Sequence, residues 1–331
     1  MALWFLSSTL LWGLVSVWVI VLILNKLKVW FGHKTYVWDP QFCSTYLTGK
    51  TAVVTGANSG IGKFVAQELA LRGARVILAC RSRERGQQAL TEIQAVAKGN
   101  DRLLLGEVDM SSMASVRNFA QWLLREYPEI HLLVNNAAVC GIPMTLTKEG
   151  LEFTFATNYL GPFLLTNLLK GALQRAGSAR VVNVSSYVHV QGHIDEKDLK
   201  GVGGPLKPYQ YYTCSKLQLT SFSGELARRL QGTGVTVNSV DPGLVYTGIM
   251  KNYFWLFRFA FWIFSFFMKN AKQGAIPVLY LCLAKELDGI SGRYFSDTFV
   301  IRLPSEAAQD LHVAQSLWNA SVRLTNLDKM D

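Results

Sequence analysis

The stretch that most constrains the fold is a short apolar strand running into closely spaced glycines, over residues 51–63. Residues 51–54 are mostly β-branched or small, as in a strand that is buried on both faces. Gly56, Gly60 and Gly62 follow, and a helical repeat of apolar residues begins among them. Glycine lets the backbone approach a pyrophosphate, whose charge is attracted by the free N–H groups at a helix start. The spacing differs from the common Gly-x-Gly-x-x-Gly fingerprint, so an ordinary strand-to-helix turn stays open on this stretch alone.

Length, charge and cysteine content limit the class of protein. The chain has 331 residues, which suits one large α/β domain or at most two smaller ones. Its net charge of +10 is spread along the chain without a recognition motif, so we expect no nucleic-acid partner. A membrane surface or a phosphate-bearing cofactor is the better partner for this excess charge. The five cysteines are scattered and form no Cys-x-x-Cys pair, which predicts free thiols and no metal site.

The amino-terminal segment is dense in Leu, Val, Ile and Trp and has no charged side chain over residues 1–24. A helix of about 20 apolar residues is long enough to cross a bilayer. Lys26, Lys28 and Lys34 follow, and this asymmetry places the remaining chain in the cytosol. We therefore predict a single-pass anchor at residues 1–25 and a linker at 26–47. The alternative is a cleaved signal peptide on a secreted enzyme, but the segment lacks a basic start and an Ala-x-Ala site.

A second strand, predicted at residues 75–79, ends in Cys80-Arg81-Ser82-Arg83. An acidic residue at this position would hold the ribose hydroxyl of NAD. None is present, and Arg81 and Arg83 carry the charge that pairs with a 2′-phosphate. The sequence therefore favours NADP(H), chiefly through the missing acid, since solvated arginines after a strand are common.

Strands and helices alternate along the remaining chain. Further strands are predicted at residues 103–108, 131–134, 180–186, 235–240 and 293–295, and helices at 87–98, 116–125, 150–169, 212–230, 274–287 and 311–324. This alternation predicts a single doubly wound Rossmann-type α/β domain over residues 48–325. Its central parallel sheet should have about seven strands, and residues 326–331 form a polar tail.

Polar residues at strand ends are candidates for a site, because ligands bind at the carboxyl ends of parallel strands. Asp109 could accept from an adenine amino group, or cap the helix that starts near Ser111 or Ser112. For Asn136 and the asparagine before it we prefer a structural role. Asn158 falls inside a predicted helix, where asparagine is unfavourable unless its side chain has a role or faces water. Ser186, with the serine before it, ends the fifth strand.

Tyr212 and Lys216 lie four residues apart and so share one helix face. A tyrosine with a pKa near 10 is a weak base at neutral pH, and a nearby ammonium lowers that pKa. The phenol can then exchange a proton with an alcohol or carbonyl oxygen while hydride moves at carbon. The pair alone is weak evidence, because such spacings are common by chance.

A run of aromatic residues at 254–268 is too short to span a bilayer comfortably and is interrupted by Arg258. It predicts either a buried core helix or an apolar flap, at residues 250–270, that dips into a membrane and covers the substrate site. We favour the flap.

Taken in order, these motifs resemble those of the short-chain dehydrogenase/reductases, and most of all the membrane-anchored, NADP(H)-using retinol dehydrogenase group. The resemblance runs from about Thr48 to the end of the last helix. It rests on Thr55-Gly-x-x-x-Gly-x-Gly62, Asn135-Asn-Ala137, Asn158, Ser186 and Tyr212-x-x-x-Lys216, with further matches at Leu78-Ala-Cys-Arg81, Asn158-Tyr-Leu-Gly161 and Arg229-Leu-Gln-Gly-Thr-Gly-Val235.

The resemblance implies a role for each matching residue. Tyr212 is the implied general acid/base, Lys216 its partner and a ligand of the nicotinamide ribose, Ser186 the donor to the substrate oxygen and Asn158 the holder of a relay water. The implied cofactor-binding residues are Gly56, Ser59, Gly60, Ile61, Gly62, Arg81, Asp109, Asn136, Tyr212, Lys216, Pro242, Gly243 and Thr247. Asp241 departs from the histidine that the retinol group usually has before Pro-Gly, and Ala138 from its usual glycine.

We expect, then, an NADP(H)-dependent oxidoreductase that acts on a hydrophobic alcohol/aldehyde pair at a membrane, a retinoid first. Steroids, polyprenols and fatty aldehydes stay open as substrates, and a non-catalytic NADP-binding sensor or scaffold is the alternative of a different class. The expected location is the endoplasmic reticulum membrane with the catalytic domain in the cytosol. Many family members dimerise through the helices that bear Asn158 and Tyr212, which leaves a homodimer open.

Overall fold

The structure, a computed structural model, describes residues 38–97, 102–195 and 206–329, together with Val17, Trp18 and Val21. Apart from these three residues, the predicted anchor lies outside the described residues, as does the first part of the predicted linker. Among the described residues, no helix is both long and apolar enough to cross a bilayer. The single-pass anchor therefore stays a prediction from the sequence.

An eight-stranded sheet forms the centre of the domain. Its strands are β1 Thr51–Thr55, β2 Arg75–Cys80, β3 Leu103–Glu107, β4 Leu132–Asn135, β5 Ala179–Val184, β6 Val235–Val240, β7 Tyr294–Phe295 and β8 Ile301–Arg302. They lie in the order β3-β2-β1-β4-β5-β6-β7-β8, and all neighbours are parallel except β7 and β8. The seven predicted parallel strands are confirmed. The sequence missed β8, because it has only two residues and both are exposed.

Helices cover both faces of the sheet. They are α1 Gly60–Leu71, α2 Arg83–Val96, α3 Met113–Glu126, α4 Gly161–Arg175, α5 Pro208–Arg229, α6 Trp255–Phe264, α7 Ala271–Leu283 and α8 Leu311–Leu324. One apolar core lies under α1, α2 and α7, and the other under α3, α4, α5 and α8. This arrangement buries β1 and β4 completely, as their continuous apolar runs predict. The doubly wound fold is confirmed.

The helix predicted at residues 150–169 begins later and is not uniform. Gly150 has a positive φ of 72°, and the buried Glu152 carboxylate accepts hydrogen bonds from the N–H groups of Thr154 and Phe155 at 2.8 and 2.6 Å. Glu152 therefore caps a single helical turn, Phe153–Phe155. A π-helical segment, Ala156–Leu160, follows before α4, so Asn158 lies in a distorted turn rather than in a regular helix.

The carboxyl-terminal helix α8 has the predicted bounds and covers part of α4 and α5. The Trp318 ring lies 5.1 Å from that of Phe163 and 5.9 Å from that of Phe222. Arg229 places its guanidinium 4.1 Å from the Trp318 ring centroid. Any dimer built on α4 and α5 has to use the surface that α8 leaves free, and the homodimer stays a prediction.

The aromatic run forms α6 and a short 3-10 turn, Ser265–Phe267, on the outside of the domain. None of its residues is buried. The alternative that this run is a buried core helix is wrong, because it contacts no core cluster of the described chain.

Candidate active site

A cavity of about 480 Å³ opens at the carboxyl ends of the parallel strands. Most of the predicted site residues line it: Gly56, Ser59, Gly60, Ile61, Arg81, Asp109, Asn136, Ser186, Tyr212, Lys216, Pro242, Gly243 and Thr247. The exceptions are Gly62 and Asn158, which lie behind its wall. A larger cavity of about 590 Å³, at the amino ends of β5 and β6, contains none of the predicted residues.

The glycine turn packs against the end of β4. Gly60 has a φ of +58°, which favours glycine, and begins α1. A Cβ on Gly62 would lie 2.3 Å from Asn136 Nδ2 and 2.7 Å from the Gly56 oxygen. Asn136 in turn donates from Nδ2 to the Thr55 oxygen at 2.9 Å. Asn136 therefore has the structural role that the sequence favoured, and it also borders the cavity.

The start of α1 has the properties of an anion site. Its N-cap residue is Ser59, whose side chain accepts no hydrogen bond from the first turn. Ser59, Gly60 and Ile61 all line the cavity. Free N–H groups and the positive end of the helix dipole therefore lie at the cavity wall, where a pyrophosphate fits.

Two arginines line the cavity beyond β2, but they are Arg81 and Arg85 rather than Arg81 and Arg83. Ser82 explains the difference, because it caps α2 and its hydroxyl accepts from the Arg85 N–H at 3.3 Å. Within the described part of the chain, neither cavity arginine forms an ion pair with a carboxylate. Arg85 was not among the residues predicted from the sequence; a serine three residues before it, at a helix start, was the available signal.

Asp109 holds the turn that leads into α3. Its Oδ1 accepts from the Ser111 N–H at 3.0 Å and from the Ser111 hydroxyl at 2.7 Å. The N-cap of α3 is Ser112, whose hydroxyl accepts from the Ser115 N–H. Asp109 is therefore not the N-cap of α3, which was one of its two predicted roles. It lies at the cavity wall, where the other role, accepting a hydrogen bond from the adenine amino group, stays a prediction.

The two serines at the end of β5 are distinguished by their surroundings. The Ser185 hydroxyl is buried and lies 2.6 Å from that of Thr220. Ser186 lines the cavity beside Tyr212, and its hydroxyl lowers the pKa of the Tyr212 phenol. Ser186 is therefore the serine that faces the candidate chemistry.

Tyr212 and Lys216 lie together on α5, with Lys216 Nζ 5.6 Å from the Tyr212 ring centroid. Lys216 is buried and donates to the Val184 oxygen at 2.7 Å. Burial lowers the pKa of Lys216 to about 8, against a smaller opposing effect of the Cys140 thiol. Burial raises the pKa of Tyr212, and the Ser186 hydroxyl offsets only part of this effect. The predicted lowering of the tyrosine pKa is thus reversed in the protein alone, and the phenol keeps its proton at neutral pH.

Asn158 is buried and braces a neighbouring loop. Its Oδ1 accepts from the Val139 N–H at 2.8 Å, and its Nδ2 donates to the Val139 oxygen at 2.9 Å and to the Ser215 hydroxyl at 3.0 Å. Val139 lines the cavity. Asn158 therefore positions the cavity wall, and its relay role stays a prediction.

Comparison with known proteins identifies the family. A model of the short chain dehydrogenase family matches residues 50–254. The chain belongs to the short-chain dehydrogenase family. It is 42% identical over 289 residues to mouse retinol dehydrogenase 13, covering 85% of each chain. It is 43% identical over 284 residues to human retinol dehydrogenase 11, covering 85% of this chain and 87% of that one. It is therefore an oxidoreductase of the short-chain alcohol dehydrogenase type, and its fold binds a nicotinamide cofactor.

Solved structures of the family have the same fold. An uncharacterized protein of Mycobacterium paratuberculosis is 30% identical and aligns over 88% of this chain and 98% of its own, with a TM-score of 0.72. A gluconate 5-dehydrogenase from Beutenbergia cavernae, with bound NADP, aligns over 76% of this chain and 96% of its own at 23% identity, with a TM-score of 0.62. The second likeness supports the fold alone.

Two further buried groups lie beside this site; the sequence marked Asp241 as a departure but did not indicate the contacts of either group. Asp241, the departure before Pro-Gly, is buried, and its Oδ1 accepts from the Gly243 N–H at 2.9 Å. Burial raises the pKa of this carboxyl, and the hydrogen bonds from Gly243 and Tyr187 oppose the rise. The Cys140 thiol is also buried and lies 3.3 Å from the Tyr253 hydroxyl, 113 positions further along the chain. Such a distant contact leaves no local signal in the sequence.

Proposed function

We propose that this short-chain dehydrogenase is an NADP(H)-dependent oxidoreductase that interconverts an apolar alcohol and its carbonyl compound, with a retinoid as the first candidate. The observation that carries the proposal is the cluster of Tyr212, Ser186 and Lys216 in the same cavity as the glycine turn. A proton donor, an oxygen-binding hydroxyl and a site for a dinucleotide are the parts that this reaction requires.

The residues present fit the cofactor. The uncapped start of α1, at Ser59, Gly60 and Ile61, would hold the pyrophosphate, and Arg81 and Arg85 would pair with a 2′-phosphate. When bound, the nicotinamide supplies or accepts the hydride. Asp109, Asn136, Pro242, Gly243 and Thr247 would line its remaining surface. Because no carboxylate in the described ranges pairs with either arginine, we take NADP(H) as the preferred form.

The side chains of this chain would handle the proton. Ser186 would donate a hydrogen bond to the substrate oxygen, and Tyr212 would transfer its proton to that oxygen during reduction. The raised pKa of Tyr212 keeps the phenol protonated at neutral pH, which suits a proton donor. Lys216 is fixed by the Val184 oxygen and would keep a positive charge beside the developing phenolate. The same side chains serve both directions of the reaction, and we propose reduction of the carbonyl compound in a compartment whose NADP(H) pool is mostly reduced.

Two observations support an apolar substrate. The relatives compared above are retinol dehydrogenases, and their names refer to an apolar isoprenoid alcohol. The exposed aromatic residues of α6 begin three positions after Asn252, which lines the cavity. Steroid ketones, polyprenols and fatty aldehydes share this apolar character and belong in the same assay.

We further propose that residues 1–25 anchor the enzyme in the endoplasmic reticulum membrane with its catalytic domain in the cytosol. The support is the uncharged apolar segment followed by lysines. Protease treatment of sealed microsomes is the test. Digestion of the catalytic domain without detergent supports this orientation, and protection of the whole chain contradicts it.

The function is tested with full-length protein in detergent, all-trans-retinal and NADPH, beside NADH, a steroid ketone and a medium-chain aldehyde. Tyr212→Phe removes the proton donor and should lower kcat by about 100-fold or more. Tyr209→Phe is the matched control, because the Tyr209 hydroxyl contacts Gln191 and does not line the cavity. It should retain activity.

The outcomes separate the alternatives. Turnover of retinal with NADPH that is lost in Tyr212→Phe and kept in Tyr209→Phe supports mechanism, cofactor and substrate together. Turnover of the steroid ketone or the aldehyde but not of retinal supports the proposed mechanism and contradicts the retinoid as substrate. Tight NADPH binding without turnover of any of the three carbonyl compounds contradicts the proposed catalytic activity and favours a sensor or scaffold.

A further inference from the structure

Residues 247–268 project from the domain, and the two ends of this segment lie close together. We call this segment the apolar loop. Its base is held by backbone hydrogen bonds, from the Lys269 N–H to the Leu244 oxygen at 3.0 Å and from the Tyr246 N–H to the Lys269 oxygen at 2.8 Å. Lys269 Nζ also lies 2.8 Å from Asp297 Oδ2. The apolar loop is thus a closed projection whose contacts with other surfaces need not disturb the sheet.

Large apolar side chains are exposed on every side of the loop's helix, α6. The exposed fractions are 64% for Trp255, 55% for Phe257, 51% for Phe259, 58% for Trp262 and 60% for Phe264. Residues at these spacings point in different directions around a helix. A protein groove would cover one side of such a helix, whereas lipid can surround it.

Positive charge predominates around the apolar loop. Lys251, Arg258 and Lys272 lie in or beside it, and no Asp or Glu occurs between Asp241 and Glu286. Lys269, at its base, is paired with Asp297. Basic residues flanking exposed Trp and Phe are typical of helices that bind at a membrane surface. The positive charge complements anionic phospholipid headgroups.

The apolar loop is joined to the candidate active site. Asn252 Nδ2 donates to the Cys140 oxygen at 2.9 Å, and the Tyr253 hydroxyl lies 3.3 Å from the Cys140 thiol. The Tyr253 ring stacks on Phe257 of α6 at 5.2 Å between centroids. Lys251 and Asn252 line the cavity itself. A surface that binds α6 therefore lies next to the cavity entrance.

We propose that the apolar loop docks on the surface of a phospholipid bilayer with anionic headgroups, as a membrane contact separate from the amino-terminal segment. The inference rests on the proposed function in one respect, namely that the substrate is an apolar compound held in that bilayer. Docking would bring the cavity entrance to the lipid surface, so that an apolar substrate enters without crossing water.

The test measures where the loop lies, not turnover, so that it can fail while the proposed enzyme activity stands. In a Cys43→Ser background, the remaining native thiols are buried. A bimane label is attached to the full-length chain at Phe259→Cys or Trp262→Cys on α6, and at Leu311→Cys on α8 as a control of similar exposure. The proteins are reconstituted in phosphatidylcholine/phosphatidylserine vesicles with and without doxyl-labelled lipid.

Docking predicts that doxyl lipid removes most of the bimane emission at positions 259 and 262 and leaves that at position 311 unchanged. Vesicles of phosphatidylcholine alone should give weaker quenching on α6. Equal emission with and without doxyl lipid at both loop positions overturns the proposal. A blue shift of the bimane emission that grows with protein density and is unaffected by doxyl lipid also overturns the proposal. Such a shift indicates that a second copy of the chain covers α6.

Discussion

The choice between NADPH and NADH should depend on two arginines of the cavity. Arg81 and Arg85 line it and have no carboxylate partner among the described residues, whereas Arg83, on the same turn, does not line it. A hydrogen bond to a charged group contributes about 1.5–3 kcal/mol. Both side chains are exposed, so the lower value of about 1.5 kcal/mol applies to each. Since about 1.4 kcal/mol is a factor of ten, each contributes about tenfold.

We therefore expect Arg81→Ala and Arg85→Ala each to raise the KM for NADPH about tenfold, and the double variant about 100-fold. The KM for NADH should stay the same, because it has no 2′-phosphate. Arg83→Ala is the matched control, since it removes the same charge from the same turn, and it should change neither constant. Steady-state kinetics with both cofactors measures this. An unchanged KM for NADPH in the double variant, or equal losses for both cofactors, refutes the assignment.

Two further predictions concern packing and thiol chemistry. Gly62→Ala places a methyl group against Asn136 and the Gly56 oxygen, so we expect a loss of stability of about 1–3 kcal/mol and weaker NADPH binding by titration. Gly224 lies on an exposed side of α5, where an added Cβ would have no atom within 4 Å. Gly224→Ala should therefore stabilise the protein by about 0.5–1 kcal/mol. Equal changes in the free energy of unfolding for the two variants would contradict this reasoning. Burial raises the pKa of the thiols of Cys80, to about 11, and of Cys140, Cys214 and Cys282. At pH 9, iodoacetamide should therefore leave these four thiols unlabelled in folded protein, while Cys43 is only partly buried and accessible, as intact-mass and peptide analysis would show; labelling of Cys140 in folded protein would contradict the structure.

The sheet and most helices could be predicted because their signals are local. The β-branched run of β1 and the apolar repeat of α8 each lie within one element, and burial against the sheet enforces the same pattern. The start of α4 could not be located in this way. A buried carboxylate, Glu152, caps a separate turn, and the π-helical segment that follows has no signature in residue spacing.

The candidate site was predicted as a set of residues but not as a set of contacts. Strand ends and glycine spacing were enough to bring Gly60, Asp109 and Ser186 to one cavity, because parallel strands share an edge. Arg85 was missed because its direction depends on the Ser82 cap. The Cys140–Tyr253 contact joins positions that only the tertiary fold brings together.

The protonation state of Tyr212 is the point at which spacing and environment disagree. A spacing of four residues on α5 predicts an ammonium near a phenol, and Lys216 Nζ does lie 5.6 Å from the ring. Spacing cannot predict that Lys216 is buried and that the Tyr212 phenol is poorly solvated at the cavity wall, and poor solvation disfavours both charged forms, the phenolate and the ammonium. The Tyr212 pKa therefore moves up while that of Lys216 moves down to about 8. At neutral pH the tyrosine holds a proton, so of the two roles that the spacing allows, proton donor and proton acceptor, the folded protein starts in the donor state that carbonyl reduction uses.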